Sequence, residues 1–336
     1  MRYLELRTTP RQLMRDDSFV SPSLSSSSSA PDELLSKEEY VLIILDEIRH
    51  WEQREIDRSR SSSSSQFMVV RLLLSIDRSA SVSAAMETVE LATKLRSSSA
   101  DSSRSSVSKY IVGIDVSGNP TKNSLISLLP ALKRARSHGL KITVHVGEVD
   151  SLESESEMTE VIKFKPERLG HALCINDEHK GLLHFGEYDK TNESDERRRI
   201  PIELCPTSNM TTLNLHSLKE HPTMPLVMRQ LQDVQFLRCI SDETDRFENV
   251  YPISINTDDS GVFRTSASRE LMLVASSFNL TREQTVLLAW IMPMYTMAFI
   301  DKQTSTELEE LFRLFGSTVQ ATCHFVEQQI LQKNGK

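Results

Sequence analysis

Two stretches carry side chains suited to joint chemistry. Residues 141–148 read Lys-Ile-Thr-Val-His-Val-Gly-Glu, an apolar and β-branched run that ends in His145 with Glu148 three places on. Residues 254–259 read Ser-Ile-Asn-Thr-Asp-Asp and end in Asp258 and Asp259. An imidazole can hold a metal ion, and a carboxylate near it can move a proton to or from a metal-bound water. Each stretch alone also fits a structural role: His145 as a packed histidine, the two aspartates as a turn capping the next helix. Two strands that both end in such groups give the chemical reading its weight.

Strands must hold these groups in place. His145 and Gly147 share one strand face by the two-residue period, and Glu148 falls at the strand exit. Seven strands are expected, near 3–6, 68–76, 110–116, 141–147, 168–174, 201–205 and 252–256. Helices are expected between them. Ser36 and Glu39 form a capping box before a helix with Val41, Ile44, Leu45 and Ile48 on one face. Further helices are expected at 84–95 with Met86, Val89 and Leu95 inward, at 130–138 closed by Gly139, and at 154–164. The C-terminal part reads as helical at 268–278, at 281–299 behind a Thr281/Gln284 capping box, and at 306–332. Around Gly181 the pattern allows a loop or a helix, residues 206–209 read as a strand exit, and 226–240 reads as a helix or partial strand.

Near-continuous apolar strands separated by helices indicate a parallel sheet. Asn119, His145, Glu148, His171, Asn209, Asp258 and Asp259 gather at its C-terminal strand ends, the active face of a (β/α)₈ barrel. The expected fold is therefore α/β, a TIM barrel formed by one domain over 1–336. Seven strands are one short of eight, and the first strand is expected upstream of Met1.

Composition narrows the partners. The net charge of −8 and the lack of a dense Lys/Arg face argue against a nucleic-acid polymer. Hydrophobic content is 38%, and the deficit traces to serine runs at 25–29, 61–65 and 97–106. Such runs bury no apolar area, so disordered insertions are expected near 18–35, 59–66 and 97–108. Four widely spaced cysteines without a C-x-x-C pattern read as free thiols in a reducing compartment. Residues 1–7 carry charges where a signal peptide has its apolar core, and the longest apolar run, 286–300, contains Pro293 and is too short to span a bilayer. The chain is therefore expected in the cytoplasm and off the membrane; a monomer is expected, though none of these readings bears on oligomeric state.

Six ordered motifs then resemble one family. They are Tyr-Leu-Glu-Leu-Arg-Thr-Thr-Pro-Arg, Gly-Ile-Asp-Val-Ser-Gly-Asn-Pro, His-Val-Gly-Glu, Arg-Leu-Gly-His, Glu-Leu-Cys-Pro-Thr-Ser-Asn and Asn-Thr-Asp-Asp-Ser-Gly-Val-Phe. The chain resembles the adenosine deaminase family, and within it the adenosine-deaminase-like branch that acts on N6-methyl-AMP. The resemblance implies a metal-dependent hydrolase with one zinc ion, converting N6-methyl-AMP to IMP or, as the alternative, adenosine to inosine. It implies that His145 and Asp258 ligate zinc, that Glu148 shuttles the proton, and that His171 orients the attacking hydroxide. It implies that Asp259 meets purine N7 and that the Gly118 N–H meets N3. Arg11, with Arg7 and Thr207-Ser208-Asn209, is a candidate to grip a 5′-phosphate, from its position just beyond a strand end.

The chain departs from the family at some points. The family's first strand carries a His-x-His pair of zinc ligands, whereas none of the nine histidines here forms such a pair. An N-terminal segment carrying it is expected upstream; a form that lacks the pair altogether would be catalytically inactive. Asn119 stands where the family commonly has Asp, and Ala172 where it commonly has Gly.

Overall fold

The structure is a computed structural model and describes residues 3–14, 34–61, 68–97, 109–150, 154–185, 200–231, 253–292 and 297. All seven expected strands are present: β1 (Tyr3–Thr8), β4 (Val69–Asp77), β5 (Ile111–Ser117), β6 (Lys141–Val146), β7 (Arg168–His171), β8 (Ile202–Leu204) and β9 (Ile253–Ile255). Strands β1, β4 and β5 are hydrogen-bonded in chain order, and so are β6, β7, β8 and β9. A two-residue antiparallel ribbon, β2 (Leu13–Met14) with β3 (Leu34–Leu35), is an addition that strand periodicity is too short to reveal. The chain divides into two compact units, Met1–Ile142 and Thr143–Lys336.

In the first unit β1 pairs with β4 and β4 with β5, both in parallel. Leu72, Leu73, Leu74 and Ile76 of β4 are fully buried, as a strand covered on both faces requires. Helix α1 (Lys37–Ser61) opens with the expected capping box: the Glu39 N–H donates to Ser36 Oγ, and the Ser36 N–H to Glu39 Oε2. It buries Val41, Leu45 and Ile48. Helix α2 (Val82–Ser97) buries Ala85, Thr88, Val89, Ala92 and Leu95, and leaves Met86 half-buried. The two helices run to Ser61 and Ser97, so the serine runs begin only where these helices end. Residues 34–35 of the first expected insertion form β3 and residues 59–61 of the second belong to α1; the remainder, apart from Ser97 at the end of α2, lies outside the described residues. Helix α3 (Leu129–Ser137) is followed by Gly139 at φ +72°, the left-handed turn expected there. Gly113 of β5 has a packing reason, because a Cβ there would lie 2.4 Å from the Lys141 carbonyl oxygen.

In the second unit β6, β7, β8 and β9 pair successively in parallel. Helix α4 spans Ser154–Phe164 as expected, and the region around Gly181 is helical, α5 (Asp177–Phe185). Residues 206–209, expected only as a strand exit, begin a short helix, α6 (Pro206–Thr212), with proline in its first turn. The 226–240 expectation resolves in part as α7 (Met224–Gln230); residues 232–250 lie outside the described set. Helix α8 spans Ala267–Ser277, and α9 (Arg282–Ile291) opens with the Thr281/Gln284 capping box. The expected helix at 306–332 lies outside the described residues. No described helix is long and apolar enough to cross a membrane.

Candidate functional site

The residues that could do chemistry in the second unit all stand at C-terminal strand ends. His145 sits near the end of β6, with Glu148 just past it. The register aligns His145 with Gly170 of β7. A Cβ on Gly170 would lie 2.9 Å from His145 Cγ and 3.0 Å from its Cδ2, so the His145 side chain packs against a position that only glycine leaves open. That contact is the reason for the glycine in Arg-Leu-Gly-His.

The end of β7 is bent into unusual backbone. His171 and Ala172 have φ of +61° and +47°, Gly147 lies at +61° and Asp258 at +53°. Side chains with a Cβ reach this left-handed region at a cost, and such positions cluster where geometry serves function. Here the bends aim side chains at one point. His171 Nε2 lies 4.0 Å from Glu148 Oε1 and 3.9 Å from Asp258 Oδ2. The His145 and His171 rings meet edge-on, with centroids 5.1 Å apart. His171 is 2% exposed. Glu148 and Asp258 keep about a quarter of their side chains open, 22% and 25%. Three of the groups expected from the sequence thus converge, Glu148, His171 and Asp258, with the His145 ring against His171.

Neighbouring residues hold them. Ser208 Oγ donates to Asp258 Oδ2 at 2.7 Å. Asn209 lies against both His171 Nδ1 and the Cys205 N–H. Glu270 of α8, buried, accepts from the Thr207 N–H and hydroxyl and from the Thr265 hydroxyl, and so ties α8 to the start of α6. Thr207, Ser208 and Asn209, read as phosphate candidates, are thereby turned onto internal partners. Asp259 is exposed at the start of the turn, where its carbonyl accepts the Phe263 N–H.

Two candidates fall in the first unit. Gly118 follows β5 at φ +104°, and a Cβ there would crowd Asp77 at 3.3 Å. Its backbone alone therefore calls for glycine. Arg11 is exposed in the loop after β1. Arg7 pairs instead with the buried carboxylate of Asp115 at 3.3 Å, and Ser75 Oγ donates to the same carboxylate at 3.0 Å. Two features escaped the reading of the chain. Cys205, through its thiol, forms with His171 and Asp258 a group whose donor atoms lie within 4.8 Å of one another. His221 is buried behind Asn209, and no local pattern marks it. Of the other thiols, Cys174 keeps its proton: burial, aided by the Asp150 carboxylate, pushes its pKa up.

The donor set has the chemistry zinc takes in proteins, imidazole nitrogen with carboxylate oxygen, and the carboxylate is oriented by the Ser208 hydroxyl. The residues present therefore fit the ion as part of a ligand set.

Comparisons with known proteins show the family. A family model described as adenosine deaminase matches residues 1–234. The chain belongs to the adenosine deaminase family. It is 32% identical over 298 residues to the N6-mAMP deaminase of Arabidopsis thaliana, covering 85% of this chain and 66% of that one. It is 30% identical to the N6-methyl-AMP deaminase of Danio rerio, covering 89% and 68%. Among solved structures, the crystal structure of Arabidopsis ADAL complexed with IMP superposes with a TM-score of 0.64 at 29% identity, covering 96% of this chain and 73% of that one. The chain thus spans about two thirds of the length of the relatives it matches. Its fold class is the α/β barrel of this family, with seven of the strands among the described residues.

Proposed function

We propose that this chain carries the site of a zinc-dependent aminohydrolase that removes methylamine from N6-methyl-AMP to leave IMP. One observation carries the reading: His171 Nε2 lies within 4.0 Å of carboxylates from two different strand ends, beside the His145 ring. Relatives that bear the name N6-methyl-AMP deaminase support the substrate, as does a solved relative holding IMP. The chain is proposed to act on a small purine nucleotide as a cytoplasmic monomer, apart from nucleic-acid polymers.

His145 and Asp258 would hold the zinc. The chemistry supplied by a bound zinc is acidification of water, so that a nucleophile is available near neutral pH. Glu148, at the open side of the cluster, would donate a proton to the ring nitrogen next to the amine-bearing carbon. That transfer draws electrons from the carbon and makes it a better electrophile. His171 would orient the attacking water and favour the charge that develops on its oxygen. Asp259 would hydrogen-bond N7 and the Gly118 N–H would meet N3. Arg11 would face the 5′-phosphate.

The test is an absorbance assay of zinc-loaded protein with N6-methyl-AMP, AMP and adenosine in parallel, after metal analysis of the same sample. Turnover of N6-methyl-AMP ahead of the other two is the expected result. Preference for adenosine would move the reading to adenosine deamination. One observation favours a second reading, a chain that keeps the fold without turnover: no two of its histidines stand in a His-x-His pair. A sample that holds no zinc and turns over none of the three substrates would establish that reading.

A further inference from the structure

His221 follows the 3₁₀ turn Leu218–Glu220 and is 2% exposed. Its Nδ1 faces two backbone amides, Thr223 N at 3.1 Å and Met224 N at 3.2 Å. A backbone N–H can only donate, so this Nδ1 carries a lone pair, and the neutral ring keeps its proton on Nε2. Burial favours the neutral ring and pushes its pKa down to about 4. The Nε2–H points at Asn209 Oδ1, 3.2 Å away. The same atom of Asn209 accepts the Cys205 N–H at 3.0 Å, a second obligate donor, and this settles which end of the amide is oxygen. The Asn209 NH₂ then faces His171 Nδ1 at 2.9 Å, and an amide NH₂ donates. His171 Nδ1 is therefore an acceptor. The proton of the neutral His171 ring lies on Nε2, the nitrogen that faces Asp258 and Glu148.

We infer that Asn209 and His221 are positioning residues: a relay of hydrogen bonds, anchored on the Thr223 and Met224 amides, holds His171 in its Nε2–H tautomer. The ring so presents a donor, and not a lone pair, to the two carboxylates. Distance alone groups His171 with Cys205 and Asp258 as donors for a metal. The relay assigns His171 a different task, because a nitrogen that carries a proton has no lone pair for a metal. His171 is left to hold an oxygen by hydrogen bonding, while ligation falls to His145 and Asp258. The catalytic meaning of the relay rests on the deaminase reading above; the tautomer does not.

The test reads the tautomer directly. The full chain is labelled with ¹⁵N-histidine, long-range ¹H–¹⁵N correlations are recorded without metal or substrate, and His171 is assigned by its loss in His171→Gln. The expected spectrum has a pyridine-type Nδ1 and a pyrrole-type Nε2 for His171. Asn209→Asp keeps the shape of the side chain but replaces the donating end with an acceptor. In that variant His171 Nδ1 takes up a proton and moves to the pyrrole-type position. A protonated Nδ1 in the wild-type spectrum overturns the inference, as does an unprotonated Nδ1 in a folded N209D chain. The wild-type spectrum decides by itself if N209D does not fold. Deamination is assayed on zinc-loaded portions of the same preparations. Wild-type protein with the expected tautomer and no turnover sinks the deaminase reading alone; turnover with the opposite tautomer sinks the relay alone. Where both stand, N209D lowers kcat by about a hundredfold and leaves KM for N6-methyl-AMP nearly unchanged, since a misplaced donor is felt in the transition state.

Discussion

Glu148 shows why side-chain chemistry and side-chain support must be separated. Its carboxylate stands 4.0 Å from His171 and keeps 22% of its side chain open, so it can reach a ligand. Glu148→Gln keeps the shape and removes the transferable proton. Turnover of N6-methyl-AMP is expected to fall by about 10²–10⁴ while thermal unfolding stays within a degree or two of wild type. His221 belongs to the support, and its effect is on stability. The native ring has a pKa near 4, below the ordinary value of 6.5. The unfolded chain therefore binds more protons between those two values, so stability is fully present above pH 6.5 and is lost as pH falls toward 4. The loss is on the order of 3 kcal/mol, and His221→Gln is expected to flatten it in urea titrations run across this range. Ala172, at φ +47°, is a third case. Ala172→Gly removes a left-handed strain of about 1–2 kcal/mol and adds about 0.4–1 kcal/mol of chain entropy in the unfolded state. A net gain below about 1.5 kcal/mol is expected by chemical denaturation.

The strands matter to the site through register. His145 stands beside Gly170 because β6 and β7 pair in parallel with those two residues level. Gly170→Ala would push a methyl group into the imidazole at 2.9 Å. The neighbour is a ring carbon next to the main chain and cannot swing away, so a cost of about 1–3 kcal/mol is expected, with zinc binding weakened. Gly181 in α5 is the control, since a Cβ there meets nothing within 4 Å. Gly181→Ala should raise stability by roughly 0.5–1 kcal/mol, through helix propensity alone. A calorimetric comparison of the two variants separates packing from propensity. The long strands and both capping boxes were legible because their signals are local: apolar runs, and a hydroxyl three places before Glu or Gln. Helix α6 was not. Its seven residues are mostly polar, and it stands on the Glu270 carboxylate brought in from α8. The two-residue strands β2 and β3 likewise have too few residues to show a period.

At the scale of the whole chain, an acidic protein of net charge −8 has little use for a polyanion, and one small anionic ligand needs only a local basic group. IMP, as the product of the proposed reaction, should bind the folded state and raise its unfolding temperature. At a hundred times its Kd the gain is about 2.7 kcal/mol. Asp259→Ala should lessen the shift by weakening contact with the purine. Arg11→Ala should lessen it for IMP and leave inosine unaffected. Equal loss for nucleotide and nucleoside would remove Arg11 from the phosphate and return it to the surface.

The amino-acid sequence by itself determined the alternation of strand and helix and the residues that end the strands. Both follow from short-range rules: the two-residue period of a strand, the 3.6-residue period of a helix, and the preference of capping residues. It also supplied His145, Glu148, His171 and Asp258 as types, in motifs recognisable from a family. Only the tertiary structure decided what those groups face. Glu148 and His171 lie near each other because neighbouring strands end together, and no periodicity within one strand encodes that level. The same holds for His221, fifty residues from His171 in the chain and reached only through Asn209. A hydrogen bond has a direction only when both partners are in place, so which nitrogen of His171 bears the proton is written in the folded arrangement and nowhere in the order of residues.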